Sequence, residues 1–228
     1  MKTLIVKYLP RTARSKSKML LDAFREEIAD SEIEELDLCS HIPDMFTPNR
    51  VEAYYARNIT HQIPSTIPIK VLAEMDSMTA QLKSSDVVVV AFPMYNFSMP
   101  AVVKAWFDSV MLHGETFEIR NREYIGLMTG KKALALVAAG GIYSSGNGVG
   151  PHFGPGWEHA LSLAKTEFQF MGFSDIRGVL AEGMVGNEAL MARNLKAAIE
   201  QIQSIAQEWY GPVKETLPGT LPALVTKF

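Results

Sequence analysis

The chain is poor in cysteine and has no long apolar segment, and these two absences exclude several classes of protein. Its 228 residues include one cysteine, Cys39, so no internal disulfide is possible and a reducing compartment is the simplest setting. The apolar run near the N-terminus is too short for a signal peptide. No stretch approaches the length that a transmembrane helix needs. We therefore expect a cytoplasmic protein with no membrane partner.

A strong charge of one sign is also missing. The sequence has 22 basic and 25 acidic residues and a net charge of −3, which is too weak a field to indicate nucleic acid as a partner. The histidines show no metal-ligand spacing, so no metal site is expected. Hydrophobic residues make up 47% and charged residues 21%, as in ordinary globular proteins. The length suits one domain with a sizeable core.

Strand patterns alternate with helix patterns five times. The predicted strands are Leu4–Leu9, Ile33–Leu38, Asp86–Phe92, Lys132–Ala138 and Asp175–Ala181. The predicted helices are 15–29, 69–83, one that opens at Ser98 or Met99, 157–171 and 187–210. This alternation predicts an α/β fold with a parallel sheet between two helical layers. Five strands favour the flavodoxin-like, doubly wound order 2-1-3-4-5.

Other segments fall outside this regular alternation. The long connection 41–68 is expected to hold a short helix around 50–58, and 114–130 is expected to form a hairpin-like excursion. Residues 144–156 form a glycine-rich loop. We expect one domain over 1–210 and an extended, proline-containing tail over 211–228.

The loop after the first strand has the composition of a phosphate site. It runs from Pro10 to Lys18 and leads into a helix, whose N-terminus offers unpaired N–H groups and a partial positive charge. Ser15 and Ser17 add hydroxyl groups, and four cations lie nearby. Because the loop has no glycine, it is neither a P-loop nor a G-x-G-x-x-G turn. The alternative interpretation is that Ser15 only caps the helix and the cations are solvated.

Two further loops follow the third and fourth predicted strands. The segment Pro93–Phe97 carries two aromatic rings and an amide, which suit a flat ligand with polar edges. Gly140 and Gly141 allow a backbone to approach a ligand closely. Taken singly, each loop is equally consistent with an ordinary turn. In the predicted strand order, however, all three loops meet at one crevice.

The phrase Pro93-Met94-Tyr95-Asn96-Phe97 resembles the flavin-contacting loop of the FMN-dependent NADH-azoreductases and NAD(P)H quinone reductases. Weaker matches are Ser15-Lys16-Ser17, Gly140-Gly141-Ile142 and Ala181-Glu182-Gly183. The resemblance implies a homodimer with tightly bound FMN at the subunit boundary. It also implies a two-step, ping-pong reaction in which NADH or NADPH reduces FMN and a quinone or azo compound then takes the electrons. The FMN-binding residues that it implies are Arg11, Ser15, Lys16, Ser17, Pro93, Met94, Tyr95, Asn96, Phe97, Ala138, Ala139, Gly140 and Gly141.

The sequence departs from the family pattern after the fourth strand. The family usually has Ser-Arg-Gly-Gly there, and this chain has Ala138-Ala139-Gly140-Gly141. A hydroxyl and a guanidinium that would tune the flavin are therefore replaced by methyl groups. A histidine often follows that loop, and Tyr143 stands in its place. Solvent or a nearby tyrosine can supply protons, and Tyr143 is the catalytic residue that we expect to do so.

Two other functions remain open at this point. The first is a flavodoxin-type electron carrier, which the weak acidity of the chain disfavours because carriers usually present a strongly acidic face. The second is a flavin-free regulatory or interaction protein on the same fold, since a fold does not fix a function. NADH oxidation with a quinone would separate the first from a reductase, and FMN binding would separate the second.

Overall fold

A computed structural model describes residues 1–61, 69–144 and 153–211. Within these ranges, five parallel strands form one sheet in the order β2-β1-β3-β6-β7, with helices on both faces. Counted along the chain among themselves, these strands lie in the order 2-1-3-4-5. The remaining two strands pair with each other as an antiparallel hairpin. The strands are β1 Lys2–Lys7, β2 Glu32–Asp37, β3 Val87–Pro93, β4 Phe117–Arg120, β5 Glu123–Gly126, β6 Lys132–Ala138 and β7 Asp175–Ala181.

Six α-helices accompany the strands in the described ranges. They are α1 Lys16–Glu27, α2 Pro48–Tyr54, α3 Ala73–Ser84, α4 Ala101–Val110, α5 Leu161–Phe170 and α6 Glu188–Tyr210. Helices α1 and α6 pack on one face of the sheet, and α3, α4 and α5 contribute to the core on the other. The strands alternate with helices as the sequence pattern predicts.

Strand β3 shows why its sequence is apolar without interruption. Val88, Val90 and Phe92 belong to the core under α3, α4 and α5. Val87 and Val89 belong to the core under α1 and α6. Because successive strand residues point to opposite faces, a strand that is covered on both sides needs an apolar residue at every position.

Several predicted boundaries are wrong by a few residues. The first strand ends at Lys7 rather than at Leu9, because the chain turns away there toward Pro10. Helix α4, which was predicted to open at Ser98 or Met99, starts at Ala101. The reason is that Ser98 is paired with Tyr95 in a tight turn.

The helix predicted from residue 157 starts at Leu161. A 3₁₀ turn, Pro155–Trp157, precedes it, and the Glu158 carboxylate accepts hydrogen bonds from the backbone N–H groups of Ala160 (2.7 Å) and Leu161 (2.6 Å). Glu158 thereby satisfies the unpaired donors of the first turn and fixes where the helix begins.

The irregular segments agree in outline with their predictions. Helix α2 and a following π-helical turn, Tyr55–Thr60, occupy the place of the short helix expected around 50–58. Strands β4 and β5 form the hairpin expected within 114–130. The rest of the predicted connection (62–68), most of the glycine-rich loop (145–152) and the predicted tail from 212 onward lie outside the described residues. Within the described ranges, no helix is both long and apolar enough to cross a membrane.

Candidate functional site

The three predicted loops meet at one cavity at the carboxyl edge of the sheet. Strand β3 pairs with β1 on one side and with β6 on the other, so the chain segments after all three strands are neighbours. The cavity has room for water-sized molecules over about 150 Å³ and opens to solvent, so it is smaller than typical enclosed small-molecule sites of about 300–1,000 Å³. Its wall is formed by Pro10, Arg11, Arg14, Ser15, Lys16, Ser17, Pro93, Met94, Tyr95, Ala138, Ala139, Gly140, Met184 and Val185.

One end of the cavity is the N-terminus of α1. Ser15 is the N-cap residue of α1, and its Oγ accepts a hydrogen bond from the backbone N–H of Lys18 at 3.1 Å. Ser17 lies in the first turn of the helix, is fully buried and has no hydrogen-bond partner for its Oγ within the described chain. A buried hydroxyl without a partner is costly, so this end of the cavity fits a ligand with acceptor oxygens.

The cations of this loop differ in their surroundings. Arg11 and Arg14 are exposed and lie on the cavity wall together with the partly buried Lys16. Lys18 points elsewhere and forms an ion pair with Asp22 on the next turn of α1. Three of the four cations are therefore placed at the cavity, where an anion would meet both their charge and the helix dipole.

The turn after β3 has an unusual backbone. Tyr95 and Ser98 exchange two backbone hydrogen bonds, of 2.9 and 3.0 Å. The two residues between them, Asn96 and Phe97, have φ values of 47° and 70°. Asparagine tolerates this left-handed conformation, whereas a phenylalanine rarely adopts it and stores strain there. Strain of this kind is concentrated at functional sites.

Aromatic packing holds this strained turn in place. The Phe97 ring lies 5.2 Å from the Phe153 ring and 5.3 Å from the Trp157 ring, measured between centroids. The backbone N–H of His159 donates a hydrogen bond to the Phe97 carbonyl at 2.9 Å. Phe97 thus supports the turn through its packing, while Tyr95 lies on the cavity wall.

Tyr8 is a neighbour of the site that the sequence analysis missed. Its ring meets the Tyr95 ring edge to face, with centroids 6.2 Å apart. Burial raises the pKa of Tyr8, and the nearby Tyr95 raises it further. The position of Tyr8, directly after β1, is the only signal in the sequence that pointed to it.

The loop after β6 forms the opposite wall. Ala138 and Ala139 are buried, and the Ala138 carbonyl accepts a hydrogen bond from the Met94 N–H at 2.9 Å. This bond ties the second predicted loop to the third. Met184 and Val185, from the turn between β7 and α6, complete the wall, and the sequence analysis missed both.

Four predicted site residues are not on the cavity wall as formed by the described chain: Asn96, Phe97, Gly141 and Tyr143. The Tyr143 ring is 5% exposed and stacks on Phe153, with centroids 5.5 Å apart. Burial, followed by the carboxylates of Glu158 and Glu182, raises the pKa of Tyr143. Its phenol therefore stays protonated at neutral pH.

Comparison with known proteins assigns the class first. A family model described as a flavodoxin-like fold matches residues 1–206. An azoreductase structure from Bacillus anthracis str. Sterne has the same fold, with a TM-score of 0.81 and 24% identity over 91% of this chain and 99% of the other. The chain is thus a flavodoxin-like protein, as predicted.

Sequence relatives narrow the class. The FMN-dependent NADH:quinone oxidoreductase of Albidiferax ferrireducens is 33% identical over 186 residues, which cover 82% of this chain and 88% of that protein. A crystal structure of an FMN-dependent NADH-azoreductase from Bacillus anthracis str. Ames Ancestor, in complex with FMN, has 26% identity and a TM-score of 0.76 over 91% of this chain and 98% of that one. The chain therefore belongs to the flavodoxin-like family that contains the FMN-dependent NADH:quinone oxidoreductases and azoreductases, and it is an oxidoreductase. The resemblance noted from the sequence is confirmed.

Proposed function

We propose that the protein binds FMN in the cavity at the carboxyl edge of the sheet and transfers two electrons from NADH or NADPH to a quinone or azo compound. The observation that carries this proposal is the buried, unpartnered Ser17 Oγ at the start of α1, inside a cavity that the three predicted loops share. The names of the relatives, FMN-dependent NADH:quinone oxidoreductases, support the choice of cofactor and substrates.

The residues of the cavity wall fit FMN at both ends of the cavity. The Ser17 hydroxyl, the N–H groups of the first turn of α1 and the Arg11 guanidinium would hold the phosphate. Met94 and Tyr95 on one side and Ala138 to Gly140 on the other would hold the ring system. When bound, FMN supplies the redox chemistry, since it accepts a hydride and returns the electrons to a second substrate.

The chain's own contribution is binding, orientation and proton supply. Asn96, Phe97 and Gly141 fix the loops that form the walls rather than forming the walls themselves. Ala138 and Ala139 would offer only methyl groups to the ring system, so these two positions would supply no charged side chain to it. We propose Tyr143 as the proton source, because it follows the loop after β6 by one residue and its phenol carries a proton at neutral pH.

The proposal includes a homodimer in the cytoplasm. An apolar stripe runs along the exposed face of α2 and the π-helical turn: Val51, Tyr55 and Ile59 are 49%, 57% and 38% exposed. Exposed apolar side chains that recur at helical spacing are typical of an interface. In a ping-pong scheme the two substrates would occupy the site one after the other. A site at the subunit boundary would therefore need room for only one of them at a time.

One set of measurements tests the whole proposal. The purified protein should be yellow, with released cofactor identified as FMN, or should become so after FMN is added. Steady-state NADH oxidation with a quinone should give parallel double-reciprocal lines, as a ping-pong scheme requires. A yellow protein that does not oxidise NADH would be an electron carrier, and a protein that stays colourless with excess FMN would be a flavin-free member of the fold.

A further inference from the structure

The turn between β7 and α6, residues 182–187, forms part of the cavity wall in addition to the loops after β1, β3 and β6. Met184 is 9% exposed and lies in the core beside the cavity, whereas Val185 is 71% exposed. A single exposed valine is ordinary on a protein surface. Val185 differs from such a residue because it lies on the wall of the cavity.

The backbone of this turn is fixed to the loop after β6. The Gly183 N–H donates to the Gly141 carbonyl at 2.7 Å, and the Met184 N–H donates to the Ala139 carbonyl at 3.0 Å. Gly183 has a φ of 70°, which a residue with a side chain adopts only with strain. The turn is therefore tied to the loop that would hold the ring system of FMN.

Glu182 adds a second set of ties. Its carboxylate accepts hydrogen bonds from the backbone N–H groups of Tyr143 at 2.7 Å and Ser144 at 3.0 Å, and from the Ser144 hydroxyl. Its backbone carbonyl accepts from the Asn194 side chain on α6 at 3.0 Å. Hydrogen bonds to a charged acceptor are stronger than those to a neutral one. Glu182 is therefore held firmly, by the segment after β6 on one side and by α6 on the other.

Val185 lies directly against Gly140. A methyl group at Gly140 would come within 3.1 Å of the Val185 Cγ2, which is closer than an ordinary contact. Valine is branched at Cβ and has few rotamers, so its side chain stays where the backbone puts it. A stiff apolar side chain is thus held over the backbone of the candidate ring site, with most of its surface still uncovered.

We infer that the turn 182–187 is a fourth ligand-binding loop and that Val185 contacts the ring system of bound FMN. This inference rests on the proposed function, because FMN is the ligand in question. Binding would cover apolar surface of Val185 that is open in the free protein, and burial of such surface contributes to affinity. The contact is additional to the three loops after β1, β3 and β6.

FMN binding to the cofactor-free protein, followed by quenching of flavin fluorescence, tests the inference without any assay of activity. Val185→Ala and Val185→Thr should each raise the Kd for FMN by about fivefold or more, since the first removes apolar surface and the second replaces a methyl group with a hydroxyl. Ile42→Ala is the matched control, because Ile42 is also branched at Cβ, is 72% exposed and is not on the described cavity wall. Its Kd should equal that of the wild-type protein.

The outcomes separate this inference from the proposed function. A wild-type protein that binds no FMN would overturn both. A wild-type protein that binds FMN while both Val185 variants stay within about twofold of its Kd would overturn the Val185 contact alone. Circular dichroism and thermal unfolding of each variant would show that the fold is unchanged.

A second pair of variants tests the contact between the two loops. Gly140→Ala should push Val185 aside and raise the Kd for FMN in the wild-type background. In the Val185→Ala background the obstructing Cγ2 is gone, so the same change should raise the Kd by a smaller factor. Equal factors in the two backgrounds would show that Val185 does not act through its position over Gly140 and would overturn the inference.

Discussion

Ser15 and Ser17 lie two residues apart at the start of α1 and have opposite hydrogen-bonding states. The Ser15 Oγ accepts a hydrogen bond from the Lys18 N–H at 3.1 Å, whereas the Ser17 Oγ is buried and lacks a partner in the described part of the chain. The first hydroxyl is used by the fold, and we propose that the second binds the phosphate of FMN. Substitutions at the two positions should therefore separate stability from binding.

Ser17→Ala should weaken FMN binding and leave the cofactor-free protein as stable as before. A hydrogen bond to a charged group contributes about 1.5–3 kcal/mol, so the Kd should rise by roughly 10- to 100-fold. Removal of an unpaired buried hydroxyl is nearly neutral or slightly stabilising. Fluorescence titration with FMN measures the first effect, and urea unfolding without FMN measures the second.

Ser15→Ala is the comparison variant. Loss of an N-cap residue costs about 1 kcal/mol, so this variant should unfold at a lower urea concentration even without FMN. If Ser17→Ala instead lost stability and kept its affinity for FMN, the assignment of Ser17 to the phosphate would be wrong.

The turn after β3 gives a prediction about backbone strain. Asn96 is exposed and has a φ of 47°, a conformation that costs alanine about 1–2 kcal/mol and glycine almost nothing. Because asparagine tolerates this region better than alanine, Asn96→Ala should lower the free energy of unfolding by about 1 kcal/mol, and Asn96→Gly should change it by less than about half of that. Urea unfolding of the cofactor-free variants measures both. Equal effects of alanine and glycine would indicate that the side chain matters and the backbone conformation does not.

Glu167 gives the protein a predictable dependence of stability on pH. Its side chain is buried beside α4, and its carboxylate lies 3.4 Å from the Lys104 ammonium. Burial raises the pKa of Glu167 above the ordinary value of 4.5, and Lys104 opposes this only in part. The folded protein thus binds this proton more tightly than the unfolded chain does. Stability from this group is complete below pH 4.5 and is lost as the pH rises through the raised pKa.

Glu167→Gln should remove this pH dependence. The glutamine is neutral at every pH, so the variant should gain stability relative to the wild-type protein as the pH rises from about 4.5, the ordinary pKa, and the gain should then level off. Lys104 keeps its ion pair with Asp108 in the variant. Urea unfolding between pH 4 and pH 8 measures the difference. A difference that does not change with pH would show that Glu167 has the same pKa in the folded and unfolded states.

The strand order and the three loops could be predicted because both depend on local patterns. The uninterrupted apolar run of β3 indicates a strand that is covered on both faces, and the alternation of strands and helices indicates a parallel sheet. Once the sheet order is known, the loops after β1, β3 and β6 must be neighbours. Ser15, Ser17, Tyr95 and Gly140 therefore follow from the sequence as wall residues.

Other features depend on contacts that no local pattern encodes. Val185 lies on the wall because long-range hydrogen bonds tie its turn to the loop after β6. The sequence phrase Asn96-Phe97 lacks the glycine that usually marks a turn with positive φ, so its conformation was not predicted. Helix α5 begins late because of a single carboxylate, that of Glu158, which replaces the usual short cap. The position of Val185, the backbone of the turn after β3 and the start of α5 all depend on tertiary contacts.

The apolar stripe along α2 and the π-helical turn predicts how the proposed dimer can be broken. Tyr55→Asp, or Val51→Asp with it, would place a carboxylate in the interface, where loss of hydration is costly. The dissociation constant of the dimer should then be at least about tenfold higher than that of the wild-type protein. Gln201→Asp adds the same charge to the exposed face of α6 and should leave the association unchanged. Sedimentation equilibrium measures all three. A Tyr55→Asp protein that dimerises like the wild-type protein would place the interface elsewhere.

Tyr143→Phe tests the assignment of the proton source. The substitution removes only the hydroxyl, so the stacking of the ring on Phe153, with centroids 5.5 Å apart, should persist. Affinity for FMN should stay within about twofold of the wild-type value, because Tyr143 is outside the described cavity wall. Turnover of acceptors that must take up protons should slow by roughly 10²-fold or more, the usual contribution of a general acid.

A comparison of acceptors makes this test specific. Ferricyanide takes single electrons without protons, so the Tyr143→Phe enzyme should reduce it at the wild-type rate while its reduction of quinones slows. The raised pKa of Tyr143 implies that the phenol can donate a proton across the whole neutral range, so the quinone rate of the wild-type enzyme should show no loss from this group below about pH 10, its ordinary pKa. If quinone and ferricyanide rates fall together, the tyrosine supports the loop and does not supply the proton. If neither falls, the protons come from solvent.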